Sequence, residues 1–175
     1  MLIAILTVVA IGIALILILA TRKPDVFRIE RSISINGAPV KIFHQINNFQ
    51  AWGAWSPWEK VDPAMHKTFT GPTSGKGAVY EWLGNKKVGQ GRMEILESIS
   101  PTQGTIKLDF IKPFEGHNTP LFTLQPQGES TQVTWAMEGP MPFGLKIMHV
   151  FINMDKMIGK NFEAGLANLK SITEK

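Results

Sequence analysis

Residues Met1 to Ala20 are apolar without rhythm, carrying no charge and interrupted weakly by Thr7 and Gly12. From Val26 to Ile35 the pattern becomes alternation: Phe27, Ile29, Arg31, Ile33 and Ile35 stand against Arg28, Glu30, Ser32 and Ser34. That period of two predicts a first strand with one polar face. Asn36-Gly37 supplies a turn, and Val40, Ile42, Phe43 and Ile46 then follow helical spacing until the run from Trp52 to Trp58 breaks it. One or two short helices fit there.

Strand-like runs separated by glycine, proline or polar turns come next. They cover His66 to Gly71, Ala78 to Gly84, Val88 to Ser98, Thr105 to Lys112, Pro120 to Gln125 and Thr131 to Gly139. With no helix between them they predict an antiparallel meander, because parallel neighbours need long crossovers. Ile106, Leu108 and Phe110 oppose Lys107 and Asp109, while Val133, Trp135 and Met137 oppose Gln132, Thr134 and Glu138, giving an oily face and a wet one. From Phe143 to about Thr173, apolar residues recur every three or four positions (Leu145, Met148, Ile152, Phe162, Leu166, Leu169). The spacing predicts one long amphipathic helix whose stripe covers the oily face. The fold class is therefore α+β.

The opening run has the length a ~30 Å hydrocarbon core requires, and it predicts a single-pass membrane anchor over residues 1–22 with one domain over 26–175. A helix apolar on every side suits the core of so small a domain poorly. A cleaved signal peptide is the rival, but a basic n-region is missing and Ile18 spoils a small-x-small cleavage site. Arg22, Lys23, Arg28 and Arg31 follow the run, so the positive-inside rule places the domain on the cytoplasmic side of the cell membrane. Pro24 ends the helix and leaves almost no linker.

Composition narrows the chemistry. The chain has 175 residues and no cysteine, which removes disulfides, thiolate nucleophiles and Cys-ligated zinc. The net charge is +4, but the basic residues are scattered, the longest pairs being Arg22-Lys23 and Lys86-Lys87, so a nucleic-acid partner is not expected. His44, His66, His117 and His149 show neither paired spacing nor clustering, and no metal or other cofactor is expected. Gly84, Gly89 and Gly91 read as turn and bulge residues, since no helix follows them to form a nucleotide loop.

Candidate site residues come from the oily faces. Tyr80 and Trp82 share a strand face and line any interior space together with Phe110, Phe122, Trp135 and Met137, although packing and pocket lining are indistinguishable at this level. Met148, Ile152 and Gly159 contribute from the helix. Asp155 falls in the middle of that stripe, where a carboxylate is costly unless paired or wetted. It reads either as a ligand-orienting or acid/base group with a raised pKa, the one weak catalytic candidate, or as half of an ion pair with a lysine or arginine. Trp52, Trp55 and Trp58 read as a lid on the space or as a plug in one end of the core.

Several runs resemble the membrane-anchored members of the SRPBCC (START-like) polyketide cyclase/dehydrase group over about residues 26 to 175. They are Phe27-Arg28-Ile29-Glu30-Arg31-Ser32-Ile33, Trp55-Ser56-Pro57-Trp58 with Asp62-Pro63, Gly75 to Trp82, and Ile158 to Lys170. The resemblance implies a helix-grip fold, a curved antiparallel sheet around a long C-terminal helix, with a cavity between them for an apolar or amphipathic small molecule. Members of the wider superfamily bind lipids, sterols, polyketides or plant hormones, and a minority catalyse cyclisation or dehydration. Fold does not choose among these. Three readings follow: a membrane-tethered module holding a hydrophobic molecule or lipid, a cyclase- or dehydratase-like enzyme using Asp155 and Tyr80, and a cavity-free scaffold for a membrane partner.

Overall fold

Alternating β-branched and polar residues open the sheet, and the partner that completes the first strand comes from the far end of the domain. The computed structural model describes residues 1–175. Strand β1 (Val26–Asn36) pairs antiparallel with β7 (Ser130–Pro140), from Val26 against Pro140 to Asn36 against Ser130. Between them run β2 (His66–Thr70), β3 (Val79–Leu83), β4 (Gln90–Ile99), β5 (Gln103–Lys112) and β6 (Gly116–Gln127). The seven strands form one curved antiparallel sheet in the order β1-β7-β6-β5-β4-β3-β2. The six-strand meander is as the turn spacing predicts. Strand β6 reaches beyond the expected Pro120 to Gln125 because both prolines sit inside it, paired with β7 at Met137 and Thr131.

Helix α1 (Leu2–Thr21) precedes the sheet, and Ala20 is its one fully buried residue. Helix α2 (Pro39–Ile46) starts on a proline, whose missing N–H costs nothing in a first turn, and buries Ile42, Phe43 and Ile46. Two 3-10 turns, Phe49–Ala54 and Pro57–Lys60, carry the tryptophan run.

The expected single helix over 143–173 is corrected: it is two helices. Helix α3 (Phe143–Phe151) packs against α1, and α4 (Met154–Thr173) packs mainly on β1. Ile152 is extended, with φ −117° and ψ 126°, and the Asn153 side chain accepts a hydrogen bond from the Lys156 N–H at 2.9 Å. Apolar periodicity runs through the break, but a capping asparagine restarts the backbone ladder. The buried stripe of α4 is Gly159, Phe162, Gly165, Leu166, Leu169 and Thr173. One apolar core joins it to α2, the tryptophan turns and the inner face of the sheet.

Candidate functional site

The space between the sheet and α4 is occupied by aromatic rings. Trp135 on β7 lies between Phe122 of β6, at 4.9 Å between ring centres, and Phe162 of α4, at 4.2 Å and 5° from parallel. Trp58 meets Trp135 and Phe162 edge-on, at 5.6 and 6.1 Å. Trp52 and Trp55 close the other side of Phe122 and Trp135, both at least 97% buried, so these two tryptophans plug the core, while Trp58 stands half-buried at its rim.

Close approach of α4 depends on its glycines. A Cβ on Gly165 would meet the Trp135 ring at 2.9 Å and Pro57 at 3.1 Å. A Cβ on Gly159 would run into the Arg31 guanidinium, so the space this glycine leaves is filled by an arginine of β1.

Burial obliges polar groups to find partners. The indole N–H of Trp52 donates to Ile46 O at 2.9 Å, that of Trp55 to Gln45 O at 3.1 Å, and that of Trp82 to Val88 O at 3.0 Å. Trp135 Nε1 is buried and has no hydrogen-bond partner. Tyr80, the chain's single tyrosine, donates its hydroxyl to Glu59 Oε1 at 2.7 Å, and Lys67 closes an ion pair on the same carboxylate. Burial first, and Glu59 second, push the Tyr80 phenol well above its ordinary pKa, so it remains protonated and acts as a donor. Sequence reading missed Glu59 and Lys67. The available signal was a lone phenol on an oily strand face, which requires an acceptor without saying which.

The sequence-predicted residues separate into two groups. Tyr80, Trp82, Phe122, Trp135 and Met137 belong to one core cluster, with Phe110 packed against it. Met148 and Ile152 do not face the sheet as expected: they are 49% and 43% exposed, because the chain breaks after α3. Asp155 lies in the first turn of α4 with its side chain 59% exposed. The Arg31 guanidinium donates to both its oxygens at 3.0 Å and also to Glu163 at 2.7 Å. Those hydrogen bonds hold the Asp155 carboxyl below the usual carboxylate range, which corrects the expectation of a raised pKa; the ion-pair reading is the one realised.

Two of the recesses in the surface stand out, and neither lies among the core aromatics. One of about 330 Å³ is bounded by Leu19, Arg22, Lys23 and Val150, where α1 meets α3. Another of about 250 Å³, on the outer face of the sheet, is lined mainly by polar side chains including Arg28, Gln103, Thr119 and Glu138. No group of three or more His, Asp or Glu side chains is arranged to hold a metal ion.

A curved antiparallel sheet closed on a long C-terminal helix defines the helix-grip class. The chain belongs to the family described as polyketide cyclase / dehydrase and lipid transport, whose model matches residues 26–174. Solved structures of the same fold include the protein CV1439 of Chromobacterium violaceum, 14% identical at a TM-score of 0.60 over 87% of this chain and 99% of that one. The di-domain ARO/CYC BexL of the BE-7585A biosynthetic pathway is 12% identical at a TM-score of 0.63, over 90% of this chain and 53% of that one. The Aha1 dimer of Colwellia psychrerythraea is 16% identical at 0.57, over 85% and 96%. No curated protein matches the sequence. Family and fold together suggest a module that binds a hydrophobic ligand or works as a cyclase.

Proposed function

We propose that this chain is a membrane-tethered module that takes one apolar molecule with a polar end, such as a lipid acyl chain, between its sheet and α4. The observation that carries the reading is the orphan donor at the centre of the aromatic set: Trp135 Nε1 is buried without an acceptor, which an oxygen of the ligand would supply. Trp58, half-buried at the rim, is the ring whose rotation would admit the molecule. Helix α1 is long and apolar enough to cross a membrane. The basic residues after it, Arg22, Lys23, Arg28 and Arg31, support a cytoplasmic domain. Asp155 has no proton-handling part in this reading, since it is ionised, exposed and paired outside the core.

A second reading rests on the same rings. Phe122, Trp135 and Phe162 are stacked at van der Waals separations, as in a filled scaffold. Dibrominated stearate, a fatty acid that quenches nearby indoles, separates the two. Added to the full chain in phosphatidylcholine nanodiscs, it is expected to quench tryptophan fluorescence saturably. Trp135→Phe keeps the ring stack and removes the N–H, and should weaken the apparent affinity about two- to tenfold, the worth of one hydrogen bond. Quenching that rises linearly with probe, in both proteins alike, would leave the filled scaffold.

A further inference from the structure

Strand register brings together, at one end of the sheet, segments far apart in sequence. Val26 pairs with Pro140, Phe110 with Gly116, Gln90 with Lys112, and Leu83 with Gln90. The β3–β4 turn, the β5–β6 turn and the start of α3 therefore lie at the end where the chain leaves α1, across only the four residues from Arg22 to Asp25. Side chains there are unusually apolar for a wet surface: Phe114 in the β5–β6 turn is 82% exposed, Phe151 at the end of α3 is 69%, and Leu83 is 54%. Lysines stand among them, Lys86 and Lys87 in one turn and Lys112 beside the other. At the opposite end the β6–β7 turn is Gly128-Glu129, and Ile99 beside the β4–β5 turn is 48% exposed, less than Phe114 or Phe151.

We propose that α3 and the β5–β6 turn form a second membrane contact, dipping into the headgroup region of an anionic bilayer and holding this end of the sheet down on the surface. The inference rests on reading α1 as the span. Helix α3 packs on α1 near its last turns, with Val150 facing Leu19 across the recess that Arg22 and Lys23 rim, so wherever α1 crosses, α3 is drawn to the same interface. Phe151 and Met148 then cover themselves with acyl chains, and Arg22, Lys23, Lys86, Lys87 and Lys112 meet lipid phosphates, the usual division of an interfacial helix.

The absence of native cysteine makes the test direct. Single variants Phe151→Cys, Phe114→Cys, Glu129→Cys and Ile11→Cys of the full chain are labelled with a small environment-sensitive dye in phosphatidylcholine/phosphatidylserine nanodiscs. All four positions are exposed, so the fold is kept. Labels at 151 and 114 are expected to be quenched by lipids brominated near the top of the acyl chain, and several-fold less by aqueous iodide than the label at 129. If both respond to iodide like 129 while 11 stays shielded, the second contact is wrong and the anchor stands. If 11 is also open to iodide, the anchor itself is wrong, and this inference falls with it.

Discussion

Arg31 interrupts the inner row of β1, Asp155 interrupts the apolar stripe of α4, and the two meet. Each is a charge on a face that reads as core in the sequence; Arg31 is satisfied by both Asp155 and Glu163, and Asp155 is itself more than half exposed. The pairing was half legible: the sequence shows both interruptions but not that α4 begins at Met154, which moves Asp155 to the rim. Because the folded carboxyl titrates below its ordinary value, the pair contributes above about pH 4 and is lost as the pH falls through the folded pKa. Asp155→Asn should therefore lower the urea midpoint slightly at neutral pH, the small effect expected of an exposed pair, and the gap from wild type should close in acid. Gly165 is under harder constraint. Alanine there gains ~1 kcal/mol of helix propensity but presses a methyl into Trp135, a ring that Phe122 and Phe162 hold from both sides. Overpacking costs ~1–3 kcal/mol, so Gly165→Ala is expected to lose roughly 1 kcal/mol net in denaturant titration.

At the scale of elements, the strands and the long C-terminal helix were readable, and the break that sets α3 apart from α4 was not. A strand declares its inner face by a period of two, and a slip of one residue would bury Thr134, Ala136 and Glu138 in place of Val133, Trp135 and Met137, so pattern fixes register. The broken helix has no such signal. Met148 and Ile152 continue the three- and four-residue spacing into Asp155 and Gly159, and what divides them is a backbone choice at Ile152 and a hydrogen bond that the Asn153 side chain accepts from the Lys156 N–H, both invisible to periodicity. The same break hid the partner of α3, which is α1 and not the sheet. Asn153→Ala removes the cap of α4 and should cost about 1 kcal/mol in the denaturant midpoint. Glu59 and Lys67 were hidden differently: their meeting with Tyr80 depends on how a 3-10 turn folds over β3, and no spacing rule predicts that.

Across the whole molecule, the contact between α1 and the domain decides whether the sheet swings freely or is held at a set angle to that helix. Met141 N–H donates to Asp25 O at 2.7 Å, and Lys146 on α3 reaches Asp25 Oδ1 at 2.5 Å. Two contributions could matter at Lys146, and they differ in size. The ion pair is weak because Asp25 is 93% exposed, even though the hydrogen bond from Lys146 holds its carboxyl below the usual range. The aliphatic stem is another matter, since Lys146 is 91% buried between α3 and its neighbours. Lys146→Met keeps a stem and discards the charge, so the amides of α3 should exchange with deuterium almost as slowly as in wild type at neutral pH. Lys146→Ala discards both and, by the usual cost of a partly emptied contact, should open α3 roughly 5–30 times more often, with faster exchange confined to residues 143–151. Equal exchange in the alanine variant would mean that α3 is held by something other than this contact, and that the angle of the domain is set by Asp25 and Met141 alone.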